Sequence, residues 1–496
     1  MEALKAYAGS TVSDVVRSGK RLAPDAVIEL AHALLANPDA HLADFEKARI
    51  DADGILAFPA GSIERTEAEF CLRLGFLLSS LVAGERFAPS MLLDGVDLPA
   101  DVPWPLACFI RGLTDPIRAQ RSTQTGAAQG LLERARTFSA AATAPWQMFR
   151  GGPERSGIVA SAYVASSQPA IRWYLQTAEV ISSPVLIDSN FLLLGTLVGK
   201  LLVLDRHTGY IAARAEIGAP SESTAAVAGG RAYIGSDEGV LQCFDLLSLK
   251  ALWKRKLTGM VRSSPLVAGS SVYTGTTDPQ GRGAVHALDA ETGKPQWAYR
   301  CADVFSSPTL AAKIIVAGCD DKSLHAIDPA TGRKAWAFET GAKVRATAAC
   351  SGDIFFGSFD GTFYCLSQEG ALRWKHVAGG PYYSSPSVGK ELVVCGSHDG
   401  FVYAFDRATG EARWKFATGA PVVSSPVLLE NAAIVTSTNG TLYVLAIGGS
   451  QDDPVPADGR ALASISLDRT IRSSPLLGDG VVYVGHEGGI SAVGLS

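Results

Sequence analysis

The sequence has no adjacent cysteines, no CxxC, no block of like charge and no apolar run approaching the ~18 residues that a membrane-spanning helix requires. Each absence excludes something. The eight cysteines, at 71, 108, 243, 301, 319, 350, 365 and 395, are scattered, so neither a disulfide framework nor a metal site is expected. Those in "VLQCFD" and "LVVCGS" read as small buried hydrophobes. A net charge of −5 with no basic stripe argues against nucleic acid as a partner. The start, "MEALKAYAGSTVSDVV", lacks the charged, apolar and small-residue order of a secretory signal. The expectation is a cytoplasmic, reduced protein without membrane insertion.

What the sequence does have is a repeat. Aligned on "SSP" or its equivalents, units begin at Ser182, Ser223, Ser263, Ser306, Ala346, Ser384, Ser424 and Ser473, eight in all. A period of about 40 residues overrides any local reading of secondary structure. Each unit runs from a small-residue stretch into a β-rich run ending in Gly ("AYIGS", "IFFGS"), then an alternating run ending in Asp ("VYAFD", "VHALD") and a Trp-bearing strand. These runs are short, β-branched or aromatic, and bounded by Gly, Asp, Asn or Pro, which gives four strands per unit.

The turns agree. "FDG", "HDG" and "TNG" supply Asp-Gly or Asn-Gly where a tight hairpin needs positive φ. "DRHTG", "DAETG", "DPATG" and "DRATG", from Asp205, Asp289, Asp328 and Asp406, place an acceptor and a glycine at the next reversal. These aspartates are turn formers rather than metal ligands.

Four-stranded antiparallel units repeated without intervening helices predict a mainly β fold, an eight-bladed β-propeller with the "SSP" strand innermost. Tryptophans 173, 253, 297, 336, 374 and 414 fall on the outer strands, placed to pack between blades. The last unit is one strand short. Its missing partner is "AIRWYLQ", residues 170–176, so that 170–496 closes on itself by pairing 170–176 with 473–496.

Residues 1–140 carry no such period and predict a small α-helical domain, with helices in "SDVVRSGKRLAPDAVIELAHALLANPD", "EAEFCLRLGFLLSSLVAGERF", "PLACFIRGLTDP" and "TGAAQGLLERAR". Residues 141–169 read as linker and lead-in.

The residue before each "SSP" position varies: Ile181, Glu222, Arg262, Phe305, Arg345, Tyr383, Val423 and Arg472. In a propeller these open at one end of the central channel. Arg262, Arg345 and Arg472 form a candidate rim for an anionic group, with Glu222, Phe305, Tyr382 and Tyr383 beside them as contact surface. The competing reading is solvated loop arginines and packing aromatics. His398 and His486 read as exposed turn residues.

With "SSP", "GSxDGxxYAxD", "TG" and "W" in this order from about residue 146, and the lead-in "PWQMFRGGPERSG", the chain resembles the pyrroloquinoline-quinone (PQQ) enzyme-like propeller superfamily. That superfamily includes quinoprotein dehydrogenases, outer-membrane assembly lipoproteins and intracellular regulatory propellers. Its enzymes typically have a periplasmic signal and adjacent cysteines over the quinone, both missing here, so the resemblance implies a fold without PQQ or Ca2+ as expected cofactors.

The segments "GKRLAPDAVIELAHALL", "HLADFEKARIDADG", "FCLRLGFLLSSLVAGERF" and "LTDPIRAQR" resemble, in order, a degenerate serine/threonine protein kinase C-lobe. Phosphotransfer is not expected. The glycine-rich loop and its lysine have no counterpart, and around His41 and Asp44 the catalytic-loop asparagine is replaced by Ala48 or Arg49. The resemblance implies a remnant lobe serving to dock; an unrelated helical bundle is the alternative.

Function, on these grounds, is expected to be a non-enzymatic binding, scaffold or sensor role: recognition of a protein, peptide or small anionic ligand at the propeller face. A quinoprotein-type oxidoreductase and a regulatory pseudokinase are the alternatives.

Overall fold

The computed structural model describes residues 22–35, 49–50, 56–57, 74, 78, 102, 104–114, 129–130, 132–135, 138, 146–163, 168–448 and 456–495. The chain divides into two compact units, 1–139 with 247–249, and 140–246 with 250–496.

In the first unit, helices span Pro24–Leu35 and Trp104–Thr114. Proline at the first position of the earlier helix costs no hydrogen bond, and Asp25 in the first turn faces the positive end of the helix dipole. Ala26, Val27, Leu30 and Ala31 form its buried stripe; Leu106, Phe109, Ile110 and Leu113 form that of the other helix. Leu74 and Leu78, in the apolar segment expected to be helical, are helical and buried. His41, Asp44 and Ala48, on which the kinase comparison turned, lie outside the described residues. No helix among the described residues is long and apolar enough to cross a membrane.

The second unit is the eight-bladed propeller. Seven four-stranded antiparallel sheets follow in sequence order: blade 1 from Val185–Leu186 to Ile211–Glu216, blade 2 from Ala226–Ala228 to Ala251–Lys256, blade 3 from Leu266–Ala268 to Pro295–Arg300, blade 4 from Thr309–Ala311 to Lys334–Glu339, blade 5 from Ala349–Ser351 to Leu372–Val377, blade 6 from Ser387–Val388 to Ala412–Ala417, and blade 7 from Val427–Leu428 to Ala461–Ser466. Blade 8 takes Leu476–Gly478, Val481–His486 and Gly489–Gly494 from the end of the propeller and Ala170–Gln176 from its beginning; Ala170 stands opposite Gly494 and Gln176 opposite Gly489. The circle therefore closes by β-pairing, leaving the first strand no free edge on that side.

The core lies between sheets. Phe355, Phe363 and Trp374 of blade 5, for example, pack with Val393, Tyr403 and Phe405 of blade 6. The two middle strands of each blade are covered on both faces and read as nearly continuous apolar runs, whereas the outermost alternate, as in "KAWAFE". Tryptophans 173, 253, 297, 336 and 374 each donate through Nε1 to a carbonyl of the next blade, those of Arg206, Ala290, Pro329, Gln368 and Arg407, at 2.8–3.2 Å. A turn glycine of the neighbouring blade lies beneath each ring: Gly209, Gly293, Gly332 and Gly410 of the "TG" turns, and Gly370 of "SQEG" under Trp336. At Gly332 φ is +68° and a Cβ would stand 2.6 Å from Trp297, so both the conformation and the approach demand glycine. The turn aspartates act as expected: Asp328 Oδ1 accepts from the N–H groups of Ala330 and Thr331 and from Thr331 Oγ1.

Candidate functional site

The "SSP" serines explain why the motif recurs. The second hydroxyl residue of each unit accepts the backbone N–H of its equivalent in the preceding blade: Ser183 N to Thr224, Thr224 N to Ser264, Ser264 N to Ser307, Ser307 N to Thr347, Thr347 N to Ser385, Ser385 N to Ser425, Ser425 N to Ser474, and Ser474 N back to Ser183, all at 2.8–3.2 Å. This is an unbroken ring of hydrogen bonds around the axis. A small side chain is needed because sheets converge there, and a hydroxyl is needed because each buried N–H must find an acceptor. The first serine turns outward into its own blade, as Ser306 does with both the N–H and the C=O of Gly318.

Below the ring, residues 146–163 plug the channel. Inner-strand N–H groups of six blades donate to this segment: Leu186 to the Trp146 carbonyl, Val227 to Gln147, Leu310 to Pro153, Cys350 to Glu154, Val388 to Ser156 and Leu428 to Gly157. A stretch expected to be mere lead-in thus satisfies the inner edges of the sheets. Two arginines anchor it. Arg155, fully buried, donates to the carbonyls of Pro308, Phe149, Ser264 and Pro265. Arg150 reaches the carbonyls of Arg155, Pro426 and Pro386 and the Ser387 hydroxyl. Neither has a carboxylate partner among the described residues. Burial pulls both down to about 9, which leaves them cationic at neutral pH.

Above the ring the channel opens as a bowl, floored by Phe149 and lined by the eight ring hydroxyls together with Ile181, Glu222, Arg262, Phe305, Arg345, Tyr383, Val423 and Arg472. Six of the seven expected rim residues meet here. The exception is Tyr382, which is 0% exposed and packs edge-on to Phe363 between blades 5 and 6. Both residues lie in the loop that leads into the inner strand Ser387–Val388; Tyr382 turns into the interface between the blades, and its neighbour Tyr383 lines the channel. His486 is a second correction. It ends a strand, is buried, and meets the Ser491 hydroxyl at 2.9 Å. His398 is exposed, near the Tyr383 ring.

The rim arginines are not free. Arg262 makes a bidentate pair with Asp237 at 3.0 and 2.9 Å and meets Glu222 at 3.1 Å. Arg345 grips Asp320 at 2.8 and 2.6 Å while its guanidinium lies 4.0 Å from the Phe305 ring centroid. Lys343 also reaches Asp320, and Arg472 stands 3.7 Å from Glu179. Charges therefore match around the mouth. Burial pushes the Glu222 carboxyl up, against the pull of Arg262. Burial acts on Asp320 in the same direction, but Arg345 and Lys343 overcome it and hold that carboxyl below its usual range. An aromatic arc continues the surface: Phe359 lies 5.7 Å from Tyr383 and 5.7 Å from Arg345.

Sequence reasoning missed Asp237, Asp320, Glu179, Lys343 and Phe359. A signal existed for two of them. In each Arg–Asp clamp the aspartate, two residues past the second strand of a blade, precedes its arginine by 25 positions, an offset readable once the repeat is aligned.

Eight four-stranded antiparallel sheets about one axis make this an eight-bladed propeller. The family model described as outer membrane protein assembly factor BamB matches residues 164–348 and 320–496, and the chain belongs to that family. Among solved structures, BamB from Moraxella catarrhalis superposes with a TM-score of 0.53 at 18% identity, covering 66% of this chain and 97% of the other. Quinohemoprotein alcohol dehydrogenase from Comamonas testosteroni gives 0.58 at 14% identity, over 72% and 81%. The computationally designed Ika8 protein gives 0.57 at 17%, over 66% and 99%. At such identities the likeness is one of fold. A search of curated proteins gave no match.

Proposed function

We propose that the chain is a recognition propeller that binds a protein segment of mixed charge in the bowl. The observation that carries this reading is the matched rim: each arginine is already held by a carboxylate, and Tyr383, 39% exposed, lies between them with Phe305 and Phe359. A simple anion would have to displace Asp237 or Asp320 from a bidentate clamp, at the expense of a charge-assisted pair. A peptide carrying both signs can instead add to the existing pairs, with its side chains against the aromatic arc. A fixed ring of loops contributes such contacts with little loss of conformational freedom.

PQQ with Ca2+ fits the bowl less well. Calcium takes six or more oxygen ligands, typically including carboxylates, yet Glu222 is the only carboxylate lining the bowl among the described residues, and Arg262 holds it. The assembly-factor name of the matching family is in keeping with a protein partner.

The test is a selection from a random peptide library on the full-length chain, repeated with Arg262, Arg345 and Arg472 all changed to alanine. Recovered peptides should contain both acidic and basic residues and bind the variant at least tenfold more weakly. Equal binding to both proteins would place recognition elsewhere. Stoichiometric PQQ binding with calcium would favour the oxidoreductase reading.

A further inference from the structure

Away from the bowl, at the junction of blades 3 and 4, one unit departs from the chemistry of its neighbours. In blades 5 and 6 the loop between the second and third strands holds a local hydroxyl network. Tyr364 donates to Asp360 at 2.8 Å and Tyr403 to Asp399 at 2.7 Å. Ser358, just past the second strand, meets Thr340 from the end of blade 4 at 3.1 Å.

Blade 4 keeps the aspartate and changes the other three. The serine position is Cys319, the tyrosine position is His325, and the residue arriving from the end of blade 3 is Cys301. Hydroxyl, phenol and hydroxyl have become thiol, imidazole and thiol. The Cys319 sulfur, an Asp321 carboxylate oxygen and a His325 ring nitrogen all lie within 4.8 Å of one another, and the Cys319 thiol donates to the carbonyl of Ala302 at 3.2 Å, which brings the residue after Cys301 against it.

We propose that Cys319, Asp321 and His325, with Cys301 completing the set, bind a divalent ion of the zinc class. Two thiolates, an imidazole and a carboxylate suit Zn2+, whose ligands at ~2.0–2.3 Å stand roughly 3.5 Å apart in a tetrahedron, so Cys319, Asp321 and His325 need to close by about 1 Å and Cys301 to turn its thiol toward them. The surroundings agree. The other ring nitrogen of His325, Nδ1, lies 3.0 Å from the Tyr299 hydroxyl, the outer hydrogen bond that orients a metal-bound histidine. Nε2 is left facing Asp321 at 2.8 Å. Cys319 and the His325 side chain are buried, 1% and 9% exposed, while Asp321 at 35% leaves a path for the ion.

Blade 3 provides an internal control. His286 occupies the column of His325, but its Nε2 meets only the hydroxyl of Thr276, with no thiol and no carboxylate. Histidine at this position therefore does not by itself make a ligand set. Because Cys301 ends blade 3 and the other ligands belong to blade 4, a bound ion would staple two blades together.

The experiment uses the reduced full-length chain stripped with a chelator. Zn2+ is titrated against a chromophoric competitor, Co2+ spectra are recorded, and thermal unfolding is followed with and without Zn2+. One equivalent should bind, Co2+ should show thiolate charge-transfer bands and tetrahedral d–d absorption, and Zn2+ should raise Tm. The variant C319S/H325Y, which restores residues that blades 5 and 6 already accommodate, should fold with the Tm of the metal-free chain and lose this equivalent. Tyr299→Phe should weaken binding by about ten- to a hundredfold. If Cys319→Ser does not fold, His325→Tyr alone decides. Uptake by C319S/H325Y equal to that of the unaltered chain would overturn the proposal. So would a Co2+ spectrum without thiolate bands, or a reduced chain that takes up no metal and goes on to form a Cys301–Cys319 disulfide in air.

Discussion

The floor and the mouth of the same channel use arginine in opposite ways. Arg150 and Arg155 are buried in the plug and held by backbone carbonyls. Arg262, Arg345 and Arg472 stand at the rim and are held by carboxylates. Carbonyl oxygens presented by the residues leading into the inner strands of blades 3, 4, 6 and 7 are fixed dipoles that cannot leave, so a guanidinium there is a permanent cross-link. A carboxylate on a loop can exchange partners. The floor is therefore architecture, and the rim is adaptable surface.

The sharpest way to break this comparison is to remove a floor cation. Arg155→Met strands the carbonyls of Phe149, Ser264, Pro265 and Pro308 and should lower unfolding free energy by about 3–5 kcal/mol, measured by urea denaturation. A loss below 1 kcal/mol would mean that the plug is dispensable. Next in size is the ring. Ser385→Ala leaves the buried Thr347 N–H without its acceptor and should cost about 1–2 kcal/mol in the same assay. The rim should matter least for folding: Arg345→Ala should change stability by less than about 1 kcal/mol while weakening any bowl ligand.

Acid titration sharpens the contrast within the rim. Carboxyl-detected NMR should find Glu222 titrating above the ordinary glutamate range and Asp320 below the ordinary aspartate range. Because the folded-state value of Asp320 is depressed, its clamp contributes stability at neutral pH that is lost as pH falls through that lowered value. Glu222 is neutralised earlier in the descent, so Arg262 loses that partner before Arg345 loses Asp320. Coincident midpoints would show the two clamps to be equivalent.

The blades were legible because periodicity, turn glycines and β-branched runs all act locally, and eight copies average out the exceptions. The channel-facing residues were legible from their position before "SSP" alone. Tyr382 sits in a loop, where no regular alternation tells which of two adjacent tyrosines turns into the interface between blades, and His486 ends a strand rather than lying in a turn. Arg150 and Arg155 were invisible for a different reason. Nothing in "RGGPERSG" says that its arginines will reach carbonyls more than a hundred residues away, since that pairing exists only after the ring has formed. The carboxylate clamps lie in the preceding repeat, and their 25-residue offset shows only when one unit is compared with the next.

The borrowed strand of blade 8 also imposes an order on biosynthesis. Ala170–Gln176 is made before any complete blade, yet its partner Gly489–Gly494 is made after all the others. At ribosomal rates of about 5–20 residues per second, the early strand waits on the order of tens of seconds with its hydrogen-bonding groups uncovered. Nascent chains released short of Gly489 would carry an adhesive ribbon at one end and an unmatched sheet at the other, the two ingredients of polymerisation through exchanged strands.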